Sequence, residues 1–188
     1  ETRAEGMFGT CGWQGRRMAY WFVRGIFVGR VGEVEMQYAV TNDGRSPLPF
    51  VWSSHTVLPL SRDTRLALPE GTRVRVWSHR GVELGGPGGE IRWPRAVVGG
   101  KMLDLSLPDA VGRAFAFSLY VDGAAGRAAI EQDGARLEVQ LGGVTPPFFQ
   151  IDVDKRGWSA FRRARDDHRV ALSPCIGAPE SLAEAIGP

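Results

Sequence analysis

The sequence is poor in the residue types that usually announce chemistry. Only two cysteines occur, Cys11 and Cys175, far apart in the chain, so no disulfide framework can be written. Only three histidines occur, His55, His79 and His168, and none stands at a tight ligand spacing with cysteines or carboxylates. A zinc site is therefore not expected, nor is one for any other metal. Gly-x-Ser-x-Gly is missing, and Ser54 beside His55 is not the sharp turn that exposes a hydrolase nucleophile. The longest apolar stretch, around Tyr20 to Val28, is interrupted by Arg24 and cannot span a bilayer as a helix. Basic residues are spread among acidic ones, the formal net charge is only +2, and no zinc-finger or RNA-recognition signature is present. Neither nucleic acid nor membrane is expected as a partner. No signal-peptide pattern is visible, so the expected compartment is the cytoplasm, with reduced thiols.

What the chain does have is glycine, proline and alternation. Its 188 residues suffice for one domain with a sizeable core, and 25 Gly and 12 Pro are scattered without period. That composition suits short strands joined by turns. Apolar residues alternate with polar ones at Val34, Met36, Tyr38 and Val40, at Val74 and Val76, and at Leu137, Val139 and Leu141; Phe115, Phe117, Leu119 and Val121 share one parity. A period of two predicts half-buried antiparallel strands. Met18 to Val28 also reads as a strand, with Tyr20, Phe22, Ile26 and Val28 on one side. Turns are expected at Thr41-Asn42-Asp43-Gly44, with positive φ supplied by Gly44, and at Asp122-Gly123 and Asp133-Gly134, which bracket a strand over Ala128 to Gln132. Gly85-Gly86-Pro87-Gly88-Gly89 lacks the Lys-Ser/Thr ending of a phosphate loop and reads as a turn. Gly6 to Trp13 reads as loop, and the single helix candidate is Pro179 to Ile186.

Among the histidines, His55 closes the run Pro49-Phe50-Val51-Trp52-Ser53-Ser54-His55, where an apolar strand gives way to small polar residues. Imidazole is the natural acid or base near neutral pH, and the plain alternative is a strand-end histidine bonded to backbone. His79, before Arg80-Gly81, reads as a turn residue, and His168, in Arg165-Asp166-Asp167-His168-Arg169, as part of a solvated loop. Six tryptophans are many for this length. Indole faces stack on sugar rings as well as filling cores, and Trp52 and Trp158 are the candidates for stacking.

Several segments resemble the aldose 1-epimerase (galactose mutarotase-like) family. They are Tyr38-Ala39-Val40-Thr41-Asn42, then Pro47 through His55, Thr64-Arg65-Leu66-Ala67-Leu68-Pro69, Gly157-Trp158, and Ala171-Leu172-Ser173-Pro174-Cys175-Ile176-Gly177-Ala178-Pro179-Glu180-Ser181-Leu182. Gly6 to Trp13 resembles the lead-in to the family's active-site region. The resemblance implies an all-β antiparallel β-supersandwich in which residues 1–188 are part of one domain. It implies a monosaccharide or sugar derivative as partner and no cofactor. It also implies an acid–base mechanism: a His protonates the ring oxygen, a Glu removes the anomeric hydroxyl proton, and the ring opens, rotates and recloses. On it, His55 is the general acid and Ser173 occupies the position of the Glu base; the expected substrate contacts are Trp52, Trp158 and Asp152.

The sequence departs from the family pattern in three respects. Ser173 replaces the Glu, and a serine hydroxyl is no general base at neutral pH without an activating neighbour. The family's second active-site His has no counterpart between Trp13 and Val40. The chain is also shorter than the family's usual domain. A replacement base would come from Asp152, Asp154 or Glu180. The competing readings are an anomer-interconverting isomerase, a sugar-binding module that has lost its base, and an accessory β-domain of a larger carbohydrate enzyme.

Overall fold

The computed structural model describes residues 6–30, 32–112, 114–121, 126–142, 148–157, 168–177 and 182–183. The chain divides into two compact units, Glu1–Pro49 and Phe50–Pro188.

The first unit is an antiparallel meander of β1 (Gly6–Gln14), β2 (Tyr20–Gly29) and β3 (Val34–Asn42). Its first strand corrects the loop expected for Gly6 to Trp13. Glycines are poor strand formers one by one, but here unbroken pairing from Gly6↔Gly29 to Gln14↔Trp21 outweighs propensity. The abrupt join at Gln14-Gly15-Arg16 is the turn of that hairpin. The Gly15 amide donates to the Tyr20 carbonyl at 2.8 Å. A Cβ on Gly15 would lie 2.2 Å from the Met18 carbonyl oxygen, so only glycine fits. Arg24, the charge inside the apolar run, lies over the Trp13 ring at 5.9 Å. The turn after β3 is closed by a side chain. Asn42 Oδ1 accepts from the Gly44 amide at 2.9 Å, and Asn42 Nδ2 donates to the Ser46 carbonyl at 2.8 Å. Gly44 does not adopt the positive φ expected of it. The half-buried face expected for β3 is also missing. Val34 is 55% and Met36 43% exposed, because this unit is a single layer and a core forms between layers.

The second unit is built from two sheets. The larger has nine strands, in the order β10 (Lys101–Asp104), β9 (Arg95–Val98), β8 (Glu90–Arg92), β7 (Arg73–Arg80), β11 (Phe115–Val121), β14 (Phe148–Lys155), β15 (His168–Ile176) and β4 (Trp52–Ser53), with β5 (Thr56–Pro59) also on β15. The smaller is β13 (Ala135–Gln140), β12 (Arg127–Gln132) and β6 (Arg65–Ala67). A one-turn helix α1 (Pro108–Val111) precedes β11. The helix expected over Pro179 to Ile186 lies largely outside the described residues. Among the described residues no helix is long and apolar enough to cross a membrane.

One cluster of buried side chains joins the two sheets. Phe117, Leu119, Phe149, Ile151 and Leu172 come from the large sheet, and Leu66 and Ile130 from the small one. The β12–β13 hairpin turns on Asp133 (φ 52°) and Gly134 (φ 73°), the pair of left-handed residues that a two-residue primed turn needs. It is tied to the loop before β6. The Asp133 amide donates to Asp63 at 2.8 Å, and the Thr64 hydroxyl to Gln132 at 3.1 Å. Gly85 and Gly88 hold positive φ in the turn between β7 and β8, as expected. His79 is not in a turn but inside β7, and His168 is not in a solvated loop but opens β15, where its carbonyl accepts from the Leu60 amide at 2.9 Å. In both cases pairing with neighbouring strands overrides a charged local sequence.

Candidate functional site

The central strands of the large sheet have two unlike faces. Residues directly opposed in an antiparallel pair share a face. The register therefore places Phe117, Val153 and Val170 on one side, and Ser118, Asp152 and Ala171 on the other. Along β14, Phe149, Ile151 and Val153 point into the core, while Gln150, Asp152 and Asp154 alternate with them on the opposite face. That second face is the floor of a cleft of about 510 Å³. Trp52, Ser53, His55 and Val57, from and around β4 and β5, form one wall; Tyr120, Arg169 and Cys175 complete the lining with the β14 carboxylates.

His55 stands exposed at this wall between two hydroxyls. Its Nδ1 is 2.8 Å from Ser173 Oγ and its Nε2 is 3.1 Å from Ser53 Oγ. A neutral imidazole has one donor and one acceptor nitrogen, and a hydroxyl can play either part. These partners therefore orient the ring without fixing which nitrogen carries the proton. Ser173 is fully buried beneath it. Two residues separated by 118 positions in sequence thus meet because β15 pairs with β4 and β5. His55 does stand at a strand end, between β4 and β5, but its partners are side-chain hydroxyls rather than backbone.

The carboxylates are held from the floor. Gln150 Nε2 donates both to Asp152 Oδ1 at 3.1 Å and to Ser118 Oγ at 3.2 Å, which orients Asp152 from the neighbouring position of its own strand. Asp154 accepts from the Gly157 amide at 2.8 Å and from Arg169 at 3.5 Å. A side chain at Gly157 would lie 2.3 Å from the backbone of β11, so the tight turn that delivers this amide depends on glycine. Burial, with Asp152 nearby, pushes the Cys175 thiol up to about 12, and its S–H donates to the Phe148 carbonyl at 3.4 Å. It is an inert thiol, and Cys11 is likewise free rather than in a disulfide.

The structure thus brings together four of the five residues singled out from the sequence: His55, Ser173, Trp52 and Asp152. Asp154, named as a replacement base, joins them on the floor. Trp158 and Glu180 lie outside the described residues. Sequence reading missed Gln150, Tyr120, Ser118 and Arg169. The signal that finds Gln150 is the alternation Phe149-Gln150-Ile151-Asp152-Val153-Asp154, whose polar parity is the cleft floor; Ser118 and Tyr120 hold the matching parity of β11, between Phe117, Leu119 and Val121. Among the described residues no group of three or more His, Cys, Asp or Glu is placed to hold a metal ion.

No family model matches the sequence, and no curated protein matches it. The fold does have a solved counterpart. A crystal structure from Escherichia coli K12, of a protein provisionally called an aldose 1-epimerase, aligns with 95% of this chain at a TM-score of 0.66 and 20% identity. The chain spans 58% of that protein's length. The fold is therefore the all-β, antiparallel sandwich of that aldose 1-epimerase-type structure.

Proposed function

We propose that this cleft holds an aldose and interconverts its α and β anomers, with His55 as general acid and Asp152 as general base. The observation that carries the reading is that an exposed, hydroxyl-oriented imidazole and an oriented carboxylate line one cleft in a fold similar to that of a protein called an aldose 1-epimerase. In the proposed cycle His55 gives a proton to the ring oxygen while Asp152 takes the proton of the anomeric hydroxyl. The bond from the anomeric carbon to the ring oxygen breaks and an open-chain aldehyde results. Rotation about the adjacent carbon–carbon bond and the reverse proton transfers close the ring on the other face. Trp52, half-buried in the cleft wall, offers an apolar face to the sugar ring. The reading of residues 1–188 as part of one galactose mutarotase-like domain, working in the cytoplasm, belongs to the same proposal; the fold match over 95% of the chain supports its first part.

One observation favours a second reading, a sugar-binding module without turnover. Ser173 fills the position where the family resemblance calls for a glutamate, and it offers His55 a hydroxyl instead of a carboxylate. Anomer exchange on a panel of neutral aldoses, followed by NMR, decides between the two. Exchange above the buffer rate that disappears in both His55→Ala and Asp152→Asn establishes the isomerase. Sugar binding without exchange establishes the module.

A further inference from the structure

Beyond the cleft, the same face of the large sheet carries a row of cations. Pairing of β7 with β8 sets Arg73 opposite Arg92, and pairing of β8 with β9 sets Arg92 opposite Arg95. Arg75, two residues along β7, shares their face. All four are exposed. Like charges directly opposed across a sheet are destabilising, so this arrangement opposes folding rather than aiding it. The register also supplies two carboxylates, Glu90 opposite Arg75 and Asp104 opposite Arg95. Neither closes a contact ion pair with the row, and two carboxylates cannot balance four guanidiniums: among the described residues none of the four arginines has an ion-pair partner. Asp104 instead accepts from the Ser106 amide at 2.9 Å and the Ser106 hydroxyl at 2.5 Å.

The row ends beside the cleft. Arg75 is in register with Tyr120 of β11, and Tyr120 lines the cleft with Trp77 packed edge-on against it at 6.0 Å. From β7 to β9 the arginines span two strand spacings, about 10 Å. A single anionic group cannot reach across that line, whereas a chain bearing one anion on each of several sugars can. Guanidinium forks match planar carboxylates and sulfates with two parallel hydrogen bonds.

We infer that Arg73, Arg75, Arg92 and Arg95 form a binding surface for an anionic saccharide chain, with carboxylate or sulfate groups on successive sugars, whose terminal unit enters the cleft. This rests on the reading that the cleft takes a sugar, though not on its being catalytic. Continuity with that cleft favours a saccharide over a nucleic acid.

The test is isothermal titration of the full chain with a short oligogalacturonate, its fully methyl-esterified form, a sulfated dextran oligomer and an oligothymidylate. It is repeated with the Arg73→Gln/Arg92→Gln/Arg95→Gln variant. The expected result is binding of the acidic oligosaccharide that weakens with salt, falls by about tenfold or more in the triple variant, and is lost on esterification. Anomer exchange on neutral aldoses, if the wild type shows it, stays unchanged in that variant. Preference for the sulfated oligomer upholds the inference and assigns sulfate as the anion. Equal binding by the triple variant, equal binding of the ester, or displacement by oligothymidylate at equal charge overturns it. Melting temperature guards against misfolding, since removing opposed like charges should leave it level or raise it; the single Arg92→Gln variant serves if it does not. Arginine-dependent binding without any anomer exchange would sink the isomerase alone, and exchange without acidic-chain binding would sink only this inference.

Discussion

Strand β14 shows two kinds of design on one backbone. Phe149, Ile151 and Val153 are fully buried in the core, while Gln150, Asp152 and Asp154 lie between them on the opposite side. The apolar set has no chemistry to offer, yet it determines where the polar set stands, because a well-packed strand cannot slide without turning every side chain over. Rigid support of this kind is what a binding or catalytic constellation requires. The arrangement also separates the two costs of mutation. A change on the core face should be read in stability, and a change on the cleft face in activity.

The sharpest way to break this division is Phe149→Ala. Its side chain is fully buried, and truncation should cost about 3–5 kcal/mol in denaturant unfolding. Loss of less than about 1 kcal/mol would mean the core is not what fixes the cleft. His55→Ala is the converse. Removal of a general acid should slow anomer exchange by about 10²–10⁴-fold. Because His55 is exposed, stability should stay within about 0.5 kcal/mol. Ser173→Glu sits where the two faces meet their limit. It puts a carboxylate against His55 and should create or raise exchange, but in a fully buried position it should also cost about 1–3 kcal/mol through overpacking. An intact variant with no gain in exchange would count against equating Ser173 with the missing base.

Two smaller effects sharpen the picture. The Cys175 thiol, raised by burial to about 12, should resist alkylation at pH 8 in the folded protein and react only on unfolding, after half-buried Cys11. Mass spectrometry of partly alkylated protein shows the order. The Lys155 ammonium beside Asp109 holds that carboxyl below its ordinary value of 3.8. A depressed carboxyl stabilises the fold above its unfolded pKa and loses that contribution as pH falls through the folded one. Lys155→Met should therefore lower stability slightly at pH 6 and make no difference below the range where Asp109 is protonated. The pair is exposed at Asp109, so the effect is small and salt-dependent.

The all-β architecture was legible because alternation at Val74-Val76 and Phe115 to Val121 is a local signal that pairing reinforces. Of the candidate cleft residues, His55 and Trp52 stand out from their own chemistry, while Ser173 and Asp152 were pointed to through family resemblance. Spacing alone does not bring residue 55 to residue 173; the pairing of β15 with β4 and β5 does. β1 was illegible because Gly6, Gly9 and Gly12 carry no strand preference, and its partner strand supplies the conformation. The histidines of β7 and β15 were misplaced for a similar reason. Charged neighbours look like loop in sequence, while an exposed strand face tolerates them.

The pairing of β15 with β4 and β5 has a consequence for the order in which this protein becomes useful. The wall that carries His55 belongs to the first strands of the second unit, and the strand it closes against is, among the described residues, the last of its large sheet. During synthesis, a nascent chain that has already folded β7 through β14 still lacks one side of the cleft. It has no seat for Ser173 against His55 until residue 176 has left the ribosome. Ligand occupancy of this cleft is therefore a report on β15: anything that binds here rewards only chains made through that strand, and products stopped short of it are blind to the ligand.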